Sequence, residues 1–318
     1  MAVNILKERW SSKVSEVTIG EGDKAVKLGG DSTLPYLHFE GEVPNKPAVA
    51  LEVSDVNPEE WPQVLKDAYG EDVLADPVAW AKKVEELGAD LVALRLDSAH
   101  PDKGDKSPEE VAKVAKAVSD AVSLPLVILG CGVDEKDAEI FPVVSEALQG
   151  KNALIGPANA ENYKAVVASA MVNGHTVIAA SPLDINLAKQ LNILITEMNL
   201  STDRIVIDPL IGALGYGIEY AYSIMERARL GALTGDKMLA MPVICFVGQE
   251  AWKAKEAKDP ASPEGQDWGD QATRSILWEV MTSTTLLQAG GSLYLMRHPE
   301  SMKRFRQHVE ELSVDNSY

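Results

Sequence analysis

The stretch Arg204-Ile-Val-Ile-Asp-Pro-Leu-Ile-Gly-Ala-Leu-Gly-Tyr-Gly-Ile-Glu-Tyr-Ala-Tyr222 reads as a complete βα unit. Its apolar start, 204–207, predicts a buried strand that stops at Asp208-Pro209, because proline supplies no N–H for a ladder. Glycines at 212, 215 and 217 then form a loop, and a helical pattern opens at Ile218. Without a Cβ, these positions let backbone approach a partner closely. Loops at the C-terminal ends of parallel strands are where α/β proteins place their ligands. This loop has no phosphate-binding lysine and fits neither the P-loop nor G-x-G-x-x-G. A flat or bulky ligand, or a protein surface, suits it better than a nucleotide. The alternative is that the glycines only make turns.

The same unit repeats along the chain. Strands are predicted at 47–53, 91–96, 126–129, 153–155, 176–179, 204–207, 243–247 and 292–296. Helices are predicted at 77–87, 108–122, 135–149, 160–173, 184–198, 218–230, 271–288 and 300–312. This alternation predicts an α/β fold, a (β/α)8 TIM barrel. Strand cores such as Val243-Ile-Cys-Phe-Val247 are continuously apolar, as parallel strands covered on both faces are. A doubly wound open sheet usually carries a glycine loop after its first strand. Here the first strand runs instead into Ser54-Asp-Val-Asn-Pro58. Residues 1–46 fit no βα unit. Two short runs, 14–19 and 24–28, flank Gly20-Glu-Gly-Asp23, a β-hairpin signal. The expected division is an N-terminal extension and β cap over 1–46, seated on the N-terminal mouth, and a TIM barrel over 47–318. An extended loop is expected at 258–270.

The chain has 318 residues, of which 46% are hydrophobic and 25% charged, an ordinary globular composition. Its net charge of -18 argues against nucleic acid or anionic membrane as partners, since both need a basic surface. Cys131 and Cys245 form no C-x-x-C pair, so the chain cannot by itself hold a four-cysteine cluster. So few cysteines suit a reducing cytoplasm. The N-terminus lacks the apolar core of a signal peptide, and no apolar run approaches the ~20 residues of a membrane helix. No histidine spacing matches a zinc motif.

The predicted strand ends bring Ser54, Asp97, Cys131, Ser181, Asp208, Gly248 and Arg297 around one mouth. Asp97 and Asp208 can be read as a carboxylate pair for a pterin or for proton transfer. They can equally be read as caps for helices and loop amides. Asp184 is a candidate N-cap, with Asn186 in the first turn behind it. Cys131 reads as a small buried residue rather than a reactive thiol. Arg297 and His298 suit an anionic or amide-rich ligand, or half of a loop salt bridge. No nucleophile–base pair emerges. Tyr216, Tyr220, Tyr222 and Trp252 add aromatic surface that suits a flat macrocycle or a protein contact.

Six segments carry a family resemblance: Ser181-Pro-Leu-Asp-Ile-Asn186, Gln190-Leu-Asn-Ile-Leu194, Leu214-Gly-Tyr-Gly-Ile-Glu-Tyr220, Ser223-Ile-Met-Glu-Arg227, Met241-Pro-Val-Ile-Cys245 and Glu250-Ala-Trp-Lys-Ala254. Over nearly its whole length the chain resembles the small subunit of the corrinoid/iron–sulfur protein of the acetyl-CoA (Wood–Ljungdahl) pathway. It is also similar to the delta subunit of the archaeal acetyl-CoA decarbonylase/synthase complex. The resemblance implies a TIM barrel in a heterodimer with a large subunit that carries a [4Fe–4S] domain and a mobile corrinoid (cobalamin) domain. It implies a methyl carrier that serves a methyltetrahydrofolate:corrinoid methyltransferase and CO dehydrogenase/acetyl-CoA synthase. The chain is then a non-catalytic subunit whose mouth covers the corrin. Placed on the strand ends, that role makes Ser181, Asp184, Asn186, Asp208, Gly212, Gly215, Tyr216, Gly217, Gly248 and Arg297 the candidate corrin-facing residues. The competing readings are a stand-alone pterin-dependent methyltransferase of TIM-barrel type and a scaffold with no cofactor contact.

Overall fold

The computed structural model describes residues 6–314. A hairpin of β1 (Glu16–Ile19) and β2 (Val26–Gly29) comes first, paired antiparallel with Glu16 opposite Gly29. Eight parallel strands follow: β3 (Ala48–Ser54), β4 (Leu91–Arg95), β5 (Leu126–Leu129), β6 (Leu154–Ala158), β7 (Thr176–Ala180), β8 (Ile205–Asp208), β9 (Ile244–Cys245) and β10 (Leu293–Met296). The ladder runs β8-β7-β6-β5-β4-β3-β10-β9. One bridge between Ile207 and Val243 brings β8 next to β9 and closes the ring. The predicted (β/α)8 TIM barrel is therefore the observed fold.

The helices lie outside the ring. Three follow β3: α1 (Gln63–Tyr69), α2 (Glu71–Leu74) and α3 (Pro77–Glu86). One follows each of the next strands: α4 (Pro108–Ala121), α5 (Asp134–Ala147), α6 (Tyr163–Asn173), α7 (Ile185–Glu197) and α8 (Ile218–Leu233). After β9 come α9 (Val247–Ala251), α10 (Lys255–Lys258) and α11 (Gln271–Gln288), and α12 (Pro299–Leu312) follows β10. Local chemistry sets several starts. Ser107 and Glu110 form a capping box ahead of α4, and Asp76, Asp184 and Asp270 accept first-turn amides of α3, α7 and α11. No helix among the described residues is long and apolar enough to cross a membrane.

Two predictions of local structure are corrected. The run 243–247 is not one strand. Its ladder covers only Ile244–Cys245, Phe246 turns to φ -81 and ψ 58, and Val247 opens α9. Apolarity misleads here because Val247 is buried in a helix, not in the sheet. The short helices α1, α2, α9 and α10 also lie in stretches where no helix was predicted; none is longer than seven residues, too short for a clear 3.6-residue period.

The barrel core divides at the strands. Side chains such as Leu91, Val127, Leu154, Ile178, Val206 and Leu293 fill the interior, with Val17, Ile19 and Leu28 of the hairpin in the same cluster. Burying each of those three contributes about 1.5–3 kcal/mol. The hairpin sits at the ends where strands begin. The Gly20 N–H donates to the Asn152 carbonyl (2.8 Å), the Asn152 side-chain amide donates to the Thr18 carbonyl (2.9 Å), and the Ser15 N–H donates to the Ala240 carbonyl (2.6 Å). A buried ion pair, Arg229 Nη1 to Asp31 Oδ2 at 2.6 Å, ties the segment after the hairpin to α8. The hairpin thus plugs this end of the barrel.

Candidate functional site

Strand alternation decides which side chains reach the C-terminal mouth. Ala48 and Ala50, Leu91 and Ala93, Val206, and Leu293 and Leu295 all point inward. Two residues further on, the same face carries Glu52, Arg95, Asp208 and Arg297. The top layer of the barrel is therefore charged where the layers beneath it are apolar.

Three of these charges form one knot. Arg297 donates to Glu52 Oε1 through Nη2 (2.8 Å) and Nε (3.2 Å), and Arg95 Nε lies 3.7 Å from the same oxygen. Burial works to raise the Glu52 carboxyl, but Arg297 and Arg95 outweigh it and hold the group below its ordinary value. Arg95 also donates through Nη2 to Gln249 Oε1 at 2.9 Å. Arg297 is fixed from every side. Its guanidinium lies 5.0 Å from the Trp61 ring centre, its N–H donates to buried Glu279 (2.6 Å), and its carbonyl accepts from the Tyr69 hydroxyl (2.6 Å). Trp61 and Tyr69 are in turn packed edge-on against Trp80 of α3. Gly248 leaves the space: a Cβ there would meet Arg297 Cγ and N at 2.8 Å.

Asp97 is held by the Ser54 hydroxyl (2.8 Å) and Lys103 Nζ (3.3 Å). A cavity of about 560 Å³ opens above this knot, with Trp61, Asp97, Gln249 and both arginines in its wall. This is the half of the mouth over β3, β4, β9 and β10.

The half over β7 and β8 is built differently. Ser181 is buried, and its N–H donates to the Asp208 carbonyl (3.1 Å). Asp184 caps α7, its Oδ1 accepting from the Asn186 N–H at 2.7 Å, while Asn186 stays exposed. The Asp208 carboxylate is buried and, among the described residues, accepts only the Leu210 N–H (2.9 Å). Burial pushes its carboxyl up to about 7, the Leu210 amide opposes this, and Glu250 adds a further push. A Cβ on Gly212 would collide with the Tyr216 carbonyl, whereas Gly215 (φ 76) and Gly217 (φ 92) turn the loop outward. The Tyr216 hydroxyl donates to Glu256 Oε2 (2.8 Å) and so pins the loop to α10. These loops and the first turns of α7 and α8 expose Leu183 (43%), Leu187 (44%), Leu210 (44%), Tyr216 (48%) and Tyr220 (62%). Of the predicted aromatic surface, Tyr216 and Tyr220 stand in this rim, whereas Trp252 is buried and Tyr222 only partly exposed; the three leucines were not predicted.

The ten predicted residues thus fall into two groups. Ser181, Asp184, Asn186, Asp208, Gly212, Gly215, Tyr216 and Gly217 share the β7–β8 side, and Gly248 and Arg297 belong to the charged side. Glu52 and Arg95, which organise the charged side, were missed. Each sits inside a strand run, where alternation from Ala50 and Ala93 was the available signal. His298 is neutral, its pKa pushed down to about 4 by burial, and its Nδ1 accepts the Glu300 N–H as the N-cap of α12. Burial likewise pushes the Cys131 thiol up to about 11, so it stays protonated near neutral pH.

The profile of the CO dehydrogenase/acetyl-CoA synthase delta subunit family matches residues 16–301. The chain belongs to that family. It is 36% identical over 315 residues to acetyl-CoA decarbonylase/synthase complex subunit delta 2 of Methanosarcina acetivorans, covering 95% of this chain and 71% of the relative. The delta subunit of Methanocaldococcus jannaschii is also 36% identical, over 94% of this chain and 74% of its own. Among solved structures, dihydropteroate synthases share the barrel: that of Vibrio fischeri has a TM-score of 0.60 at 10% identity, covering 88% of this chain and 97% of its own. That of Xanthomonas albilineans with 4-aminobenzoic acid has 0.56 at 15%, covering 85% and 94%. At such identities the likeness is one of fold alone. Membership of the delta family favours a subunit of a larger complex over the stand-alone pterin-dependent methyltransferase.

Proposed function

We propose that this chain is the small subunit of a heterodimeric corrinoid/iron–sulfur protein and that its barrel mouth covers a corrinoid held by the large subunit. The observation that carries this reading is the apolar rim of Leu183, Leu187, Leu210, Tyr216 and Tyr220, exposed on the β7–α7 and β8–α8 connections and the helix starts behind them, the second connection turning through the positive-φ residues Gly215 and Gly217. A corrin is a broad, flat, largely apolar ring fringed with amides. The rim fits it: aliphatic and aromatic faces for the ring, and the Asn186 amide for its fringe. When bound, the corrinoid supplies the cobalt centre that carries a methyl group.

The residues of this chain supply cover. Leu187, Leu210 and Tyr220 exclude water from the face they meet, which slows oxidation of a reduced centre. Asp208, half protonated near neutral pH, adds no full negative charge beneath the rim. The protonated thiol of Cys131 is a poor competing nucleophile. A rim of exposed side chains, rather than a deep pocket, also lets the corrin leave to meet the methyltransferase and acetyl-CoA synthase in turn. On this reading the [4Fe–4S] cluster belongs to the large subunit and the complex works in the cytoplasm.

Co-purification from the native host tests it. The expected result is a one-to-one complex with a larger, cysteine-rich subunit that contains cobalt and shows corrinoid and iron–sulfur absorption. A cobalt-free chain that purifies alone and moves methyl groups from methyltetrahydrofolate to added cobalamin would overturn it.

A further inference from the structure

The cavity on the charged side of the mouth is separate from the rim and plays no part in the cover just described. The surplus of cationic charge lies in its inner layer, at Arg95 and Arg297; the wall as a whole carries five carboxylates against four cations. Glu52 supplies one negative charge for two guanidiniums, and both arginines converge on the same oxygen. The other visible acceptor, Gln249 Oε1, is neutral. Arginine has five N–H groups in a planar fork. Among the described residues, only Nε and Nη2 of Arg297 and Nη2 of Arg95 have hydrogen-bonding side-chain partners, and Arg95 Nε is buried without one. The side chains of Arg95 and Arg297 remain 18% and 14% exposed, and both line the cavity. The outer cations are already matched, Lys103 to Asp97 and Lys253 to Glu250.

We infer that this cavity binds a compact small-molecule anion whose carboxylate or phosphate oxygens take the free N–H groups of Arg95 and Arg297. Planar guanidinium forks pair with such groups through two parallel hydrogen bonds. About 560 Å³ accommodates a small metabolite and no polymer. Glu59, Glu60 and Asp102 also line the cavity and repel a highly charged anion, so one or two charges are favoured. The Arg297 guanidinium is already held by Glu52 and the Trp61 ring, so binding requires little reordering of that side chain.

Calorimetric titration of the full-length chain at fixed ionic strength, with malonate and inorganic phosphate as separate probes, tests the site. The expected result is saturable one-to-one binding of at least one probe. It should weaken about tenfold or more in Arg95→Gln and stay unchanged in Leu210→Ser. Binding of malonate alone assigns a carboxylate ligand, and binding of phosphate alone a phosphate ester. Should Arg95→Gln fail to fold by circular dichroism, Gln249→Glu decides: a carboxylate beside Arg95 should abolish binding. No saturable binding of either probe to the unaltered chain, or equal binding by a folded Arg95→Gln or Gln249→Glu variant, would overturn the inference.

Discussion

Over β3, β4 and β10 the mouth is tied by buried charge: Glu52 bridges arginines from two neighbouring strands, and Arg297 is clamped by an aromatic ring, a carboxylate and a hydroxyl. Over β7 and β8 there is no such knot. One buried carboxylate accepts a single amide, and the loops above it display leucine and tyrosine to solvent. The first half is expensive to disturb because removing one partner strands a buried charge. The rim of the second is cheap to disturb, since its leucines and tyrosines stand largely in solvent. On the proposed function, stability and partner binding are therefore lodged in different halves of one ring of loops.

The sharpest way to break that contrast is Glu52→Gln, which leaves Arg95 and Arg297 without their carboxylate. Urea unfolding should show a loss of about 3–5 kcal/mol. Next is the pH dependence of Asp208. Its folded pKa, about 7, is raised above the ordinary carboxylate value, so the folded state binds the proton more tightly than the unfolded one. This group's contribution is full below the unfolded pKa and is lost as pH rises from about 4 to 7, at roughly 1 kcal/mol per pH unit. Asp208→Asn should therefore gain stability over wild type across that window, as unfolding at a series of pH values will record. Gly248→Ala should cost about 1–3 kcal/mol, because its Cβ meets the Arg297 backbone nitrogen at 2.8 Å. The smallest effect belongs to the rim. Leu210→Ser with Tyr220→Ser should change stability by no more than about 0.5 kcal/mol in the isolated chain, while weakening association with the corrinoid-bearing subunit in a pull-down.

The barrel was legible because each unit states its period: apolar runs such as Val127–Leu129 are too short for helices, and the segments between them repeat at helical spacing. The hairpin was legible from Gly20 and Gly22, both at positive φ in the structure. The end of β9 was not, because partly buried Phe246 and buried Val247 continue its apolar run although α9 opens at Val247. In the mouth, loop position located the glycines and Asp208. It did not reveal that Gly212 and Gly248 clear space for Tyr216 and Arg297, since both contacts are remote or depend on tertiary folding. The knot of Glu52, Arg95 and Arg297 joins residues far apart in sequence, and only the parallel register of β3 with β4 and β10 brings them together.

The most direct measurement is the rate at which air oxidises the reduced corrinoid of the large subunit, followed by visible absorption, with and without this chain. The account predicts slower oxidation when the wild-type chain is added and a return toward the unprotected rate with the Leu210→Ser, Tyr220→Ser variant. An oxidation rate that the wild-type chain leaves unchanged, in a complex shown to be assembled, would contradict it.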